Sequence, residues 1–321
     1  MAPSRTGRRF VIDGESLTNR PLSHVALRTG HLLGIAAMLA GLAACSPQSL
    51  LVRTAADQLA SQGSAAEDDL GLARDAAPFY LKLSESVLER SPGHLRLAEA
   101  VSGGFTQYAY AFVAFEADRI ESTDAKAARA LRERAARLYG RALRHAVAAL
   151  EQHSPGFVRA LADGGRASPA PAPRLAADQV GVAYWAAASW GAQIALSKDR
   201  PDAVADLPLV VRLASLAWEH DPDHGGGALA TLMGTLEAGR PGGSAARAQQ
   251  YFDRAIALGE GRNAGAFVAK AEALALPAGD RAAFESLLRQ ALDAAAARRD
   301  LTNEVMRERA QWLLATIEDR F

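Results

Sequence analysis

Apolar residues recur at spacings of three and four along most of the chain beyond residue 70, the period of a helix with one face turned inward. The first such run places Phe79, Leu83 and Val87 on one face, with Asp75 as its cap and Ser91-Pro92 as its stop. A second carries Leu97, Val101, Phe105, Tyr108, Phe112 and Phe115 in a single stripe. Asp124 then caps a long arginine-rich helix with Leu131, Ala135, Leu138 and Ala142 on its inner side; Glu133, Arg137, Arg141 and Arg144 read as a solvated face. Gly164 to Arg174, rich in proline and small residues, can only be a loop or linker, and Asp178 is placed to cap the helix that holds Tyr184, Trp185 and Trp190. Further helical stretches follow to the end, the last packing Val305, Met306, Ala310, Leu313 and Ile317.

Three helix ends look alike: LERSPG at Pro92, EQHSPG at Pro155 and EHDPDH at Pro222. The prolines lie 63 and 67 residues apart, about twice the roughly 34-residue period of a tetratricopeptide repeat (TPR). The expected fold is therefore all-α, antiparallel helix hairpins stacked side by side as a TPR-like solenoid. Unrelated helix pairs that each need a proline stop are the plainer alternative.

The segment His31 to Ala44 is apolar, too short to span a bilayer, preceded by Arg28 and closed by small residues before Cys45. This is the layout of a secretory signal, and Leu42-Ala43-Ala44-Cys45 resembles the lipobox of bacterial lipoproteins, in which the cysteine receives lipid. Asp13 and Glu15 do not suit a signal's basic start, which moves the expected translation start to about Val25. The expected organisation is a signal segment over 1–44, a tether and first helix over 45–74, and a helical domain over 75–321. Lipid on Cys45 would then be the membrane attachment, with the chain facing the periplasm; which membrane stays open.

Alanine, arginine and leucine dominate the composition, which favours helix. Acidic and basic residues balance at 36 each, so the chain lacks the basic field that nucleic acid requires. A single cysteine excludes an internal disulfide and a cysteine-rich zinc site. No HExxH, GxSxG or phosphate-loop pattern occurs, and Gly259 to Gly265 reads as a turn between helices. His220, Asp221, Asp223 and His224 are the densest set of potential metal ligands, yet Pro222 breaks the helix that would align the histidines, so an inter-helix turn is the expectation. Glu116, Asp118, Arg119 and Glu121 read as capping and surface charges. No catalytic residue, metal or cofactor is expected. Aromatic residues are the candidates for a ligand pocket or pore: Tyr108, Tyr110, Phe112, Tyr184, Trp185 and Trp190. Tyr108 and Tyr110 cannot both lie on the inner stripe.

At GFTQYAYAFVAFEADRIE (Gly104 to Glu121) the chain resembles the T component of tripartite ATP-independent periplasmic (TRAP) transporters, the TatT family. The pattern continues in order through ARALRERAARLYGRALRHAVAALE, YWAAASWGAQIALSKD, YFDRAIALGEGRNAGAFVAKAEALALP and RAQWLLATIEDRF. The resemblance implies a non-catalytic lipoprotein with cryptic TPR units. It implies a homotrimer around a pore that docks one periplasmic solute-binding protein (the P component) per subunit and holds a hydrophobic ligand. Gly225-Gly226-Gly227 and the loop from Gly164 depart from the family pattern. A general envelope scaffold that recruits assembly or cell-wall proteins is the rival function.

Overall fold

The computed structural model describes residues 47–62, 67–163 and 173–321, and every regular element among them is helical. Cys45, the segment 1–44 expected to be a signal, and most of the loop from Gly164 lie outside the described residues.

Helix α1 (Pro47–Gln62) packs Ala56 and Leu59 into the core. It is tied down by Tyr80, whose hydroxyl donates to the Leu59 carbonyl, and by His94, whose Nε2 lies 3.2 Å from Asp57. Helix α2 (Leu70–Arg90) begins earlier than its spacing predicted. Asp69, not Asp75, is its cap, accepting from the amides of Gly71 and Leu72 at 2.9 and 3.0 Å. Its predicted inner face is also wrong. Phe79 is 76% and Leu83 42% exposed, and the buried side carries Ala73, Leu81, Ser84, Glu85 and Leu88.

The physical reason is an ion-pair network. Glu85, 2% exposed, accepts from Arg141 Nε at 2.5 Å and Nη2, from His145 Nε2 at 2.6 Å and from Lys82 Nζ at 2.5 Å. Burial works to raise the Glu85 pKa, but these hydrogen bonds outweigh it and hold the group down at about 2. Arg141 therefore belongs to this contact and not to a solvated face.

Helix α3 (Leu95–Ala109) runs through a π-helical turn, Tyr110–Ala114, into α4 (Phe115–Ile120). The π turn breaks the single stripe: Leu97, Val101, Phe105 and Ala109 are buried and the run continues at Val113, leaving Tyr108 and Phe112 half-buried. Asp124 caps α5 (Ala125–His153) as expected, accepting from the Ala127 amide at 2.9 Å. After α6 (Phe157–Asp163), α7 (Val180–Ala195) starts from Gln179 without a side-chain cap, so Asp178 does not cap it as expected; Gln179 instead accepts from the upstream Ala176 amide at 2.8 Å. Then come α8 (Pro201–Val204), α9 (Leu207–His220), α10 (Ala228–Gly239), α11 (Ala245–Leu258), α12 (Ala264–Lys270) with a second π-helical turn at Ala271–Ala275, α13 (Arg281–Ala297) and α14 (Leu301–Ala315).

Helices neighbouring in sequence pack as neighbours in space: α3 on α5, α5 on α7, α7 on α9, and so on to α13 on α14. The three proline stops share one geometry. Ser91, Ser154 and Asp221 have φ of −141, −133 and −147° and ψ of 63, 79 and 86°, and the residue three further on donates its amide to each at 3.0, 2.9 and 3.2 Å. Helix α3 contacts α7 as well as α5 in a glycine-for-bulk exchange. Glu99 lies over Gly181 and Trp185 over Gly103, so these two helices run parallel, in register. At the far end α14 returns to α2, and Arg299 of the α13–α14 turn pairs with Asp68 at 3.1 Å.

Candidate functional site

The densest constellation forms where the two π-helical turns meet α14. Each π turn inserts an extra residue into its helix and re-aims the side chains there. The first directs Tyr110 and the second Glu272 toward Arg309. Arg309 has a side chain only 12% exposed. It donates to both Glu272 carboxylate oxygens at 2.7 and 3.0 Å and to Asp118 Oδ2 at 3.2 Å. Its guanidinium also lies over the rings of Tyr110, Phe115 and Trp312 at 5.5, 5.3 and 5.8 Å. Arg132 completes the set with Asp118, at 3.6 Å, and Glu121. Burial works to lower the Arg309 pKa, and the surrounding groups outweigh it, keeping the cation charged. Asp118 thus belongs to an inter-helix network and is not only a surface charge.

Tyr110 Oη sits 3.9 Å from Met306 Sδ, and burial pushes its pKa up to about 12. Tyr139, buried beside it, is raised as well, chiefly by burial. Phenols held protonated beside a permanently charged guanidinium offer no group that exchanges protons near neutral pH. The arrangement joins α4, the second π turn and α14.

A cavity of about 180 Å³ lies beside this network, lined by Leu70, Arg74, Phe112, Phe115, Arg119 and Glu308 among others. Arg119 lies 4.6 Å from the centre of the Phe115 ring and pairs with Glu308 at 2.9 Å, while Arg74 lies over Phe112 at 5.6 Å. The volume is below the roughly 300 Å³ at which pockets for whole small molecules begin.

The aromatic candidates are distributed over three places. Tyr108, Tyr110 and Phe112 flank the first π turn, with Tyr108 and Phe112 ring centres 5.5 Å apart. Tyr184 and Trp185 occupy the seam between α3 and α7, their rings edge to face at 4.8 Å, and Tyr184 also meets His224 at 5.5 Å. Burial pushes the Tyr184 pKa up to about 12. Trp190 lies apart from both, in an apolar groove of about 250 Å³ between α5, α6, α7 and α9.

In the histidine-aspartate turn, Asp221 faces His224 at 3.7 Å while Asp223 pairs with Arg254, and His220 is exposed. Gly259 to Gly265 forms the turn between α11 and α12, with Asn263 capping α12. Sequence reasoning missed Arg309 and Glu272, which nothing in their 37-residue separation marks as partners. It also missed Glu85, for which a signal existed: a carboxylate among Leu81, Ser84 and Leu88 at helical spacing.

The family described as TRAP transporter T-component matches residues 66–321. A protein of Treponema pallidum (strain Nichols), described as uncharacterized, is 28% identical over 265 residues, covering 79% of this chain and 81% of that protein.

Proposed function

The chain belongs to the TRAP transporter T-component family, and from that premise we propose that it is the periplasm-facing scaffold and binding subunit of a solute transporter. In this reading lipid on Cys45 anchors the protein, and its helical surface docks a periplasmic solute-binding protein. The observation that carries it is the family match across residues 66–321, a family of transporter components and not of enzymes. Among the described residues no helix is long and apolar enough to cross a membrane, which leaves attachment to the segment around Cys45 in this reading.

The organisation proposed is a signal segment over 1–44, a tether with the first helix over 45–74 and a helical domain over 75–321. Repeated geometry at Ser91, Ser154 and Asp221 supports a TPR-like origin for the stacked hairpins. The finer reading adds a homotrimer whose pore holds a hydrophobic ligand. Phe112, at the cavity between α2, α4 and α14, is the aromatic surface that favours it.

Cross-linking intact cells, purifying through this chain and identifying the captured proteins tests the assignment. A periplasmic solute-binding protein is the expected catch. Cell-wall or outer-membrane assembly proteins alone would replace the transporter reading with that of a general envelope scaffold. A Cys45→Ala chain is expected to lose its acyl chains and leave the membrane fraction; continued partition with acyl chains attached would overturn the anchor.

A further inference from the structure

Helix α2 is apolar on two sides. Its buried side holds Ser84 and Glu85 beside Ala73, Leu81 and Leu88, while its outer side keeps further apolar residues in view: Leu72 at 58%, Phe79 at 76% and Leu83 at 42% exposure. These three lie seven and four residues apart, on one face, with Asp75 among them. The Glu85 network with Arg141 and His145 fixes that orientation, so the helix cannot roll to hide its apolar side. A rigid apolar ridge held outward is a contact surface.

The same chain carries a matching hollow. The groove that contains Trp190 is lined by Leu143, Val147, Leu150, Phe157 and Leu161, and the one charged residue on its wall is Arg144. At about 250 Å³ and apolar but for Arg144, it is large enough to take one aromatic side chain. The groove lies on the side of α5 bearing Leu143 and Val147; α2 meets the side bearing Arg141 and His145. Ridge and hollow therefore belong to different faces of one molecule. Their charges also match. Asp75 on the ridge and Arg144 at the groove are both exposed, and neither forms an ion pair among the described residues.

We infer that the α2 ridge of one copy seats in the apolar groove of a second copy, with Phe79 in the hollow and Asp75 against Arg144. A contact between two different patches is head-to-tail, and successive copies close into a ring when the rotation between them permits. This deepens the oligomer reading above and rests on it, assigning that oligomer a surface.

Light scattering of the purified whole chain, with charge-reversal variants, tests it. Wild type is expected to be oligomeric. Phe79→Ser, Asp75→Arg and Arg144→Asp should each weaken association at least tenfold, and Asp75→Arg combined with Arg144→Asp should restore much of it. All substituted residues are exposed, so an unchanged circular dichroism spectrum is expected throughout. Benzoylphenylalanine placed at position 79 should cross-link to the segment Leu143 to Leu161 of another copy. Oligomers that survive every variant, or cross-links to lipid or to another region, would overturn this contact and leave the oligomer reading standing. A wild-type chain that stays monomeric would overturn both.

Discussion

Trp185 fills the space where a side chain at Gly103 would begin: indole Cε2 lies 2.7 Å, and Nε1 2.9 Å, from the position of a Cβ there. The indole is rigid and wedged between α3 and α7, so the two residues act as bump and socket.

Gly103→Ala is expected to lower stability by about 1–2 kcal/mol, since overpacking of about 1–3 kcal/mol is only partly offset by the better helix propensity of alanine. Gly181→Ala, its counterpart in the exchange, meets only the mobile carboxyl end of Glu99 and should change stability by less than about 1 kcal/mol. Urea denaturation of both variants checks the contrast, and equal losses would contradict it.

Glu85 should make the fold acid-sensitive. Its folded pKa, about 2, is below the ordinary carboxylate value. Its contribution is therefore complete above the unfolded pKa and is lost as pH falls from about 4.5 toward 2, on the order of 3 kcal/mol. Glu85→Gln is expected to cost roughly 2–4 kcal/mol at pH 7 by leaving Arg141 and His145 without their shared carboxylate. The difference between wild type and variant should shrink at pH 3, where urea midpoints of the two can be compared.

Asn303, 2% exposed, joins two inter-helix turns. Its Oδ1 accepts from the Ala264 amide at 3.0 Å, and its Nδ2 donates to the carbonyls of Arg262 and Arg298 at 2.9 and 2.7 Å. Asn303→Ala leaves the buried Ala264 amide without this partner and removes the bonds to both carbonyls, and should cost about 1–3 kcal/mol. Asn303→Asp keeps an acceptor but loses the donor to both carbonyls, so it too should destabilise at neutral pH. Thermal unfolding with aspartate matching wild type would show that the amide is not needed.

Gly227 has φ of 102°, and a Cβ there would lie 2.6 Å from the Ala255 carbonyl oxygen on α11. Gly227→Ala is expected to cost about 2–4 kcal/mol, combining a left-handed backbone with a collision against another backbone. Gly226, at φ 57° with open space around it, should cost only about 1–2 kcal/mol on the same change. The glycine run is thus fitted to a close approach between this turn and α11.

Helical character was legible throughout, because apolar spacing, Asp124 and the proline stops are local signals. Which face of α2 turns inward was not, since Phe79 and Leu83 obey the helical period as well as Leu81 and Leu88 do. Arg141 and His145, 56 and 60 residues away, decide it by pairing with Glu85. The aromatic candidates were found as residues but not as a site. An inserted π residue moves Tyr110 to the Arg309 network, and the helix stacking separates Trp190 from Tyr184 and Trp185.

The return of α14 to the beginning of the described body bears on how the chain folds. In an open stack each hairpin needs only its neighbours, so folding can start anywhere and a terminal unit can melt alone. Here Arg299 and Arg309 are paired with Asp68 and Asp118, partners separated by most of the chain. Contacts of such long sequence separation slow folding and couple the first helices to the last. A chain still being synthesised has α2 and α4 without those partners, and it acquires its full stability only when residue 309 has arrived.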